Sequence, residues 1–148
     1  MRAGLLVIGF GNPLRSDDGL GWRAAERLAE TQPDTAVVTT HQLVPELAET
    51  LSECERAVFI DAADPAASGA EPGTVLVQDL VPRSPEPSAF SHHLDPAGLL
   101  AMAQTLYGYA PKAQLITVVG ASFDFGEQLS PSVQAALEAI VRQINADE

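Results

Sequence analysis

Leu5-Leu6-Val7-Ile8-Gly9-Phe10-Gly11-Asn12-Pro13-Leu14-Arg15-Ser16-Asp17-Asp18-Gly19-Leu20-Gly21 is the stretch on which the fold turns. Four consecutive apolar residues stopped by glycine read as a short strand buried on both faces, as in a parallel sheet. Beyond the loop, Leu20, Ala24, Ala25 and Leu28 share one side of a helix whose other side carries Arg23, Glu26, Arg27 and Glu30. A buried strand that runs through a glycine-bearing loop into an amphipathic helix is the first half of a β-α-β unit.

The same alternation continues outward. Residues 35–40 (TAVVTT) are β-branched and predict a second strand, near an edge of the sheet. A short helix is expected from Pro45, with Val44, Leu47, Ala48 and Leu51 as its apolar set. Ala57-Val58-Phe59-Ile60 predicts a third buried strand, with Asp61 just past its carboxyl end. Pro72-Gly73 marks a turn before a fourth strand at 74–77, and the proline-bearing residues 81–91 read as a long loop. Asp95-Pro96 combines an N-cap with proline at the first helical position, and Leu99, Met102, Ala103 and Leu106 give that helix its apolar face up to Gly108. Residues 115–119 form a fifth strand. Ser130-Pro131 opens a last helix in which Val133, Ala136, Leu137, Ile140, Val141 and Ile144 recur at helical spacing. The order β-α-β-α-β-β-α-β-α predicts one α/β domain over residues 1–148. It should have three layers: a central, mostly parallel five-stranded twisted sheet with helices on both faces. The single β-β step allows one antiparallel pairing.

Composition narrows the function. At 46% hydrophobic and 19% charged, a chain of 148 residues can bury a real core, so disorder is excluded as its main state. Twenty Asp and Glu against eight Lys and Arg give a net charge of −12, which repels nucleic acid and anionic membranes but attracts cations and basic protein surfaces. The lone Cys54 forms no internal disulfide and offers no thiolate zinc site; it precedes a strand and should pack in the core. Neither a signal sequence nor a membrane-spanning stretch is legible, so a cytoplasmic location is expected.

Ligands of open α/β sheets bind outside the carboxyl ends of the strands, so the loops there carry the candidates. Residues 9–21 open like a dinucleotide fingerprint, but Leu14 stands where the third glycine belongs and Asp17-Asp18 sits where phosphate needs a positive helix end. A dinucleotide-binding enzyme is therefore the weakest reading. One aspartate can cap the helix; two adjacent ones call for a cation or a positive partner. Asp17 is expected to face the backbone and Asp18 the cleft. Asp61 would be partly desolvated at its strand end, whereas Asp64, before Pro65, suits a turn. His92-His93 stands in the long loop, and imidazole with two carboxylates makes a plausible site for a borderline metal. Gly120-Ala121-Ser122-Phe123-Asp124 imitates a nucleophile elbow, but Asp124 replaces its last glycine and the helix starts only at Ser130-Pro131.

These residues resemble the [NiFe]-hydrogenase maturation endopeptidases. The resemblance rests on G-x-G-N-x-L-x-x-D-D-G-x-G at residues 9–21, Ile60-Asp61-Ala62, Pro72-Gly73-Thr74, Ser91-His92-His93 and the Leu129-Ser130-Pro131 helix opening. It implies an endopeptidase that removes a C-terminal extension from the hydrogenase large-subunit precursor after nickel insertion. The nickel-recognising and catalytic positions it implies are Asp18, Asp61 and His93, with His92 able to exchange roles with His93. Nickel would arrive with the precursor rather than reside in the protease. A non-cleaving nickel-state sensor or chaperone that docks the same precursor would share these ligands.

Overall fold

Five strands build the sheet: β1 (Ala3–Phe10), β2 (Ala36–Thr40), β3 (Cys54–Ala63), β4 (Val75–Leu80) and β5 (Lys112–Val119). They lie in the order β2-β1-β3-β5-β4 in a computed structural model that describes residues 2–83 and 94–147. Every pairing is parallel except that of β4 with β5. The expected antiparallel strand exists, but β5 separates it from β3, its predecessor in sequence. The helical crossover that leads into β5 makes a parallel neighbour for β3, and β4 takes the outer edge.

The α-helices among the described residues are α1 (Leu20–Thr31), α2 (Leu47–Ser52), α3 (Pro65–Ser68), α4 (Pro96–Tyr107) and α5 (Pro131–Asp147). Successive strand residues point to opposite faces, and the core divides accordingly. Leu5 and Val7 of β1, with Val58 and Ile60 of β3, pack under Leu20, Ala24 and Leu28 of α1 and the six predicted apolar residues of α5. Leu6 and Ile8, with Ala57 and Phe59, pack on the other face under Leu47, Ala48 and Leu51 of α2 and Leu99, Leu100 and Ala103 of α4. This is the three-layer arrangement the sequence predicts. Cys54, the first residue of β3, is buried in the second core.

The Asp95-Pro96 signal placed a helix start as expected, and Asp64-Pro65, which reads as a turn, opens a helical turn as well. Asp95 accepts a hydrogen bond from Gly98 N (2.8 Å) at the start of α4, whose end is closed by left-handed Gly108. Asp64 does the same for the single-turn α3, accepting from Ala66 N at 2.8 Å. Strand extents came out longer than the apolar runs: β3 continues through Asp61 to Ala63, because ladder hydrogen bonds to β5 hold its polar end. None of the described helices is long and apolar enough to cross a membrane.

Candidate functional site

The loop between β1 and α1 is shaped by close approach. A side chain at Gly9 would run into the backbone of Gly21, and one at Gly21 would meet Phe10 N at 2.8 Å and the carbonyl of Ile60. The glycines therefore let the first turn of α1 lie against the ends of β1 and β3. Gly11 has φ +136°, and its Cα faces the backbone of Asp18, which brings the loop back on itself. Ser16 adopts φ +52°, a left-handed conformation that costs about 1 kcal/mol or more for a residue with a side chain. It is held there by Ser16 N donating to Gly126 O and Ser16 Oγ donating to Asp124 O, both at 2.8 Å.

Asp17 and Asp18 follow within one 3-10 turn, Ser16–Gly19, and have opposite fates. Asp17 is fully buried. Its Oδ2 accepts from Ala121 N (2.7 Å), Ser122 N (3.1 Å) and Ser130 Oγ (2.9 Å), and its Oδ1 accepts from Ser130 N (2.7 Å). Four donors offset the desolvation that an isolated buried carboxylate could not sustain. Asp17 thus faces backbone as expected, but not as a helix cap: neither it nor Asp18 caps α1, whose N-cap position is Gly19. It clamps the β1–α1 loop to the β5–α5 loop more than a hundred residues away. The chain carries a sequence signal for this, the Leu129-Ser130-Pro131 opening of α5, since proline leaves the serine amide and hydroxyl together at a helix start.

Asp18 is only partly buried and accepts from Asn12 N at 2.8 Å. Asp61 lies inside β3 opposite Thr117 of β5, not past the strand end as expected. It has the parity of Ala57 and Phe59, so its side chain belongs to the α2 and α4 face. Burial, with a smaller contribution from the nearby charge of Asp18, pushes its carboxyl up to about 7 against the lowering effect of the hydrogen bond from Ala62 N (2.7 Å). The sheet therefore brings Asp18 and Asp61 within electrostatic reach of one another, from positions forty-three residues apart. Trp22, which the sequence did not single out, ties this edge together: its Nε1 donates to Gly11 O (2.9 Å) and Thr40 O (3.1 Å), linking α1 to the ends of β1 and β2.

His92 and His93 lie outside the described residues. Among the described residues no three His, Cys, Asp or Glu side chains cluster closely enough to hold a metal ion. A pair of neighbouring carboxylates, one held against its ionisation by burial, suits a divalent cation that would relieve both costs. Ser122 has no catalytic surroundings in its loop: its amide serves Asp17, and its hydroxyl accepts from Asp124 N at 3.4 Å. A nucleotide phosphate at the start of α1 would meet the Asp18 carboxylate.

Known proteins give the geometry its context. The pattern of the family described as hydrogenase maturation protease matches residues 23–147. The hydrogenase expression/formation protein HupD of Rhodobacter capsulatus is 34% identical over 158 aligned positions, spanning 96% of this chain and 71% of that protein. The fold superimposes on the hydrogenase maturating endopeptidase HybD from E. coli with a TM-score of 0.74 and 25% identity, covering 99% of this chain and 91% of the other. The [NiFe] hydrogenase maturation protease HybD from Thermococcus kodakarensis gives 0.72 and 25%, over 99% and 98%. With its sheet order, its paired carboxylates and a sequence match over most of its length, the chain belongs to the hydrogenase maturation protease family, hydrolases that cut a peptide bond.

Proposed function

We propose that this protein cleaves the C-terminal extension from the large-subunit precursor of a [NiFe] hydrogenase once nickel is in place. Asp18, Asp61 and His93 are the residues that address the site. The observation that carries this reading is the raised carboxyl of Asp61 beside Asp18. Nickel is cargo of the substrate here: carboxylate oxygens and an imidazole nitrogen suit a borderline divalent ion whose remaining ligands come from the precursor. His93 is two residues before the cap of α4, and α4 packs on the sheet face to which Asp61 belongs.

A carboxyl that titrates near neutrality is matched to moving a proton at working pH. In its ionised form Asp61 accepts a proton from the attacking water as oxygen bonds to the scissile carbonyl carbon. As the carbon–nitrogen bond breaks, the proton passes to the departing amine, leaving a carboxylate end and a free amine. Burial first, and the Asp18 charge second, disfavour charge on Asp61; a divalent cation held by the two carboxylates would favour it, which would tie ionisation of the base to a metal-loaded substrate. Incubation of the protein with nickel-loaded and nickel-free precursor, followed by mass measurement, tests the proposal. The expected result is a mass loss equal to the extension in the nickel-loaded sample alone. An unchanged mass with stable complex formation would instead favour the non-cleaving chaperone.

A further inference from the structure

Leu14 and Phe125 stand out among the exposed apolar residues, at 52% and 87% exposure, because the loops that carry them are firmly built. Gly126 N donates to Leu14 O (2.9 Å), and Ser16 N donates to Gly126 O (2.8 Å), forming a parallel bridge between Arg15 and Gly126. Leu14 and Phe125 each directly precede a residue of that bridge, so both lie where the two loops are joined. Arg15 Nε donates to Phe123 O (3.0 Å) and its guanidinium lies 5.6 Å from the centre of the Phe125 ring. Asp17 anchors both loops from below. Two large apolar side chains are thus presented to solvent on a rigid mount, where a floppy loop would have let them fold inward.

The mount is continuous with the candidate site. Asp18 N donates to Arg15 O (3.1 Å), so Leu14 lies on the turn that presents Asp18. We infer that Leu14 and Phe125 form the pad on which the folded body of the hydrogenase precursor docks, through an apolar patch of its own bordered by Lys or Arg. The basic border follows from the net charge of −12 and from Asp124 and Glu127, which flank Phe125 and Gly126 in sequence and outnumber the Arg15 guanidinium beside the ring. This rests on the proposed function, since a protein substrate whose peptide reaches Asp18 must cover the adjoining surface. The pad binds substrate and takes no part in the bond cleavage.

The test compares Phe125→Ser, Leu14→Ser and the milder Phe125→Leu with Leu106→Ser, which truncates a leucine on α4 whose exposure (63%) lies between those of Leu14 and Phe125. Precursor cleavage gives KM and kcat, and titration of labelled precursor gives Kd. Phe125→Ser should raise KM and Kd at least about tenfold with kcat retained, as expected for loss of an aromatic anchor. Phe125→Leu should recover part of the loss, and Leu106→Ser should match wild type. Wild-type KM in Phe125→Ser, a fall in kcat alone, or an equal loss in Leu106→Ser would each overturn the pad. If wild-type protein leaves nickel-loaded precursor intact, the cleavage reading fails, and Kd alone decides the pad: weakening confined to Leu14 and Phe125 variants supports it, and unchanged Kd overturns it.

Discussion

Replacing Asp61 by asparagine should make the protein more stable and inactive at once. The rise of its carboxyl from 3.8 to about 7 means that the folded state binds this proton more tightly than the unfolded chain does. The stability that the proton contributes is fully present below pH ~3.8 and is lost as pH rises through about 7. At ~1.36 kcal/mol for each tenfold change in proton affinity, the loss reaches up to about 4 kcal/mol above neutrality. Asparagine is isosteric, keeps an oxygen to accept from Ala62 N, and does not titrate, so the variant escapes the loss. Thermal melts of both proteins from pH 4 to pH 8 isolate the effect, because other titrating groups cancel in the difference. The two should melt together near pH 4, and the variant should gain roughly 10 °C by pH 8, at about 2–4 °C per kcal/mol for a domain of this size. A difference in Tm that stays flat across that range, or a wild type that is the more stable at pH 8, would refute the placement of a desolvated carboxyl at this position.

Asp17→Ala should lower stability by about 3–5 kcal/mol, since it strands three backbone N–H groups and the Ser130 hydroxyl in the interior; the midpoint of urea unfolding reports it. Asp17→Asn should be scarcely milder, because either orientation of the amide sets its NH2 against a backbone N–H donor. Asp18→Ala should stop precursor cleavage while costing only about 1 kcal/mol, the worth of its one hydrogen bond to Asn12 N, and should weaken the pH dependence of stability that Asp61 causes. Gly9→Ala should fail to give folded protein by circular dichroism, whereas Gly4→Ala, with open space around it, should behave as wild type.

The layers of the fold were legible because buried parallel strands and amphipathic helices write different periods into the chain. Each apolar position predicted for α1 and α5 is buried. Where reading by apolar content fell short, backbone pairing decided the outcome. The β3 strand runs on through Asp61 because β5 supplies ladder partners as far as Ala63↔Val119. Exposed Val75, Leu76 and Val77 gave β4 away, yet its partner followed from the crossover and not from its own residues. The doubled aspartate was the harder case. Local rules offered a helix cap for one and a ligand for the other, and the first rule failed because Asp17's donors come from residues 121, 122 and 130. Contacts across that separation leave no periodic trace in one sequence.

That long-range clamp also explains why adjacent acids can serve different ends. With Asp17 drawn inward by four donors, a 3-10 turn has its next side chain rotated by about a third of a turn, which leaves Asp18 free of the same interior. Ser16 absorbs the conformational cost just upstream, at φ +52°, and its bonds to residues 124 and 126 hold it there. The strain is thus stored outside Asp18 and Asp61 and sustained by the same loop that carries Phe125. The display of Phe125 and the placement of Asp18 thus share one hydrogen-bonded unit, with Asp17 and Ser16 as its joints.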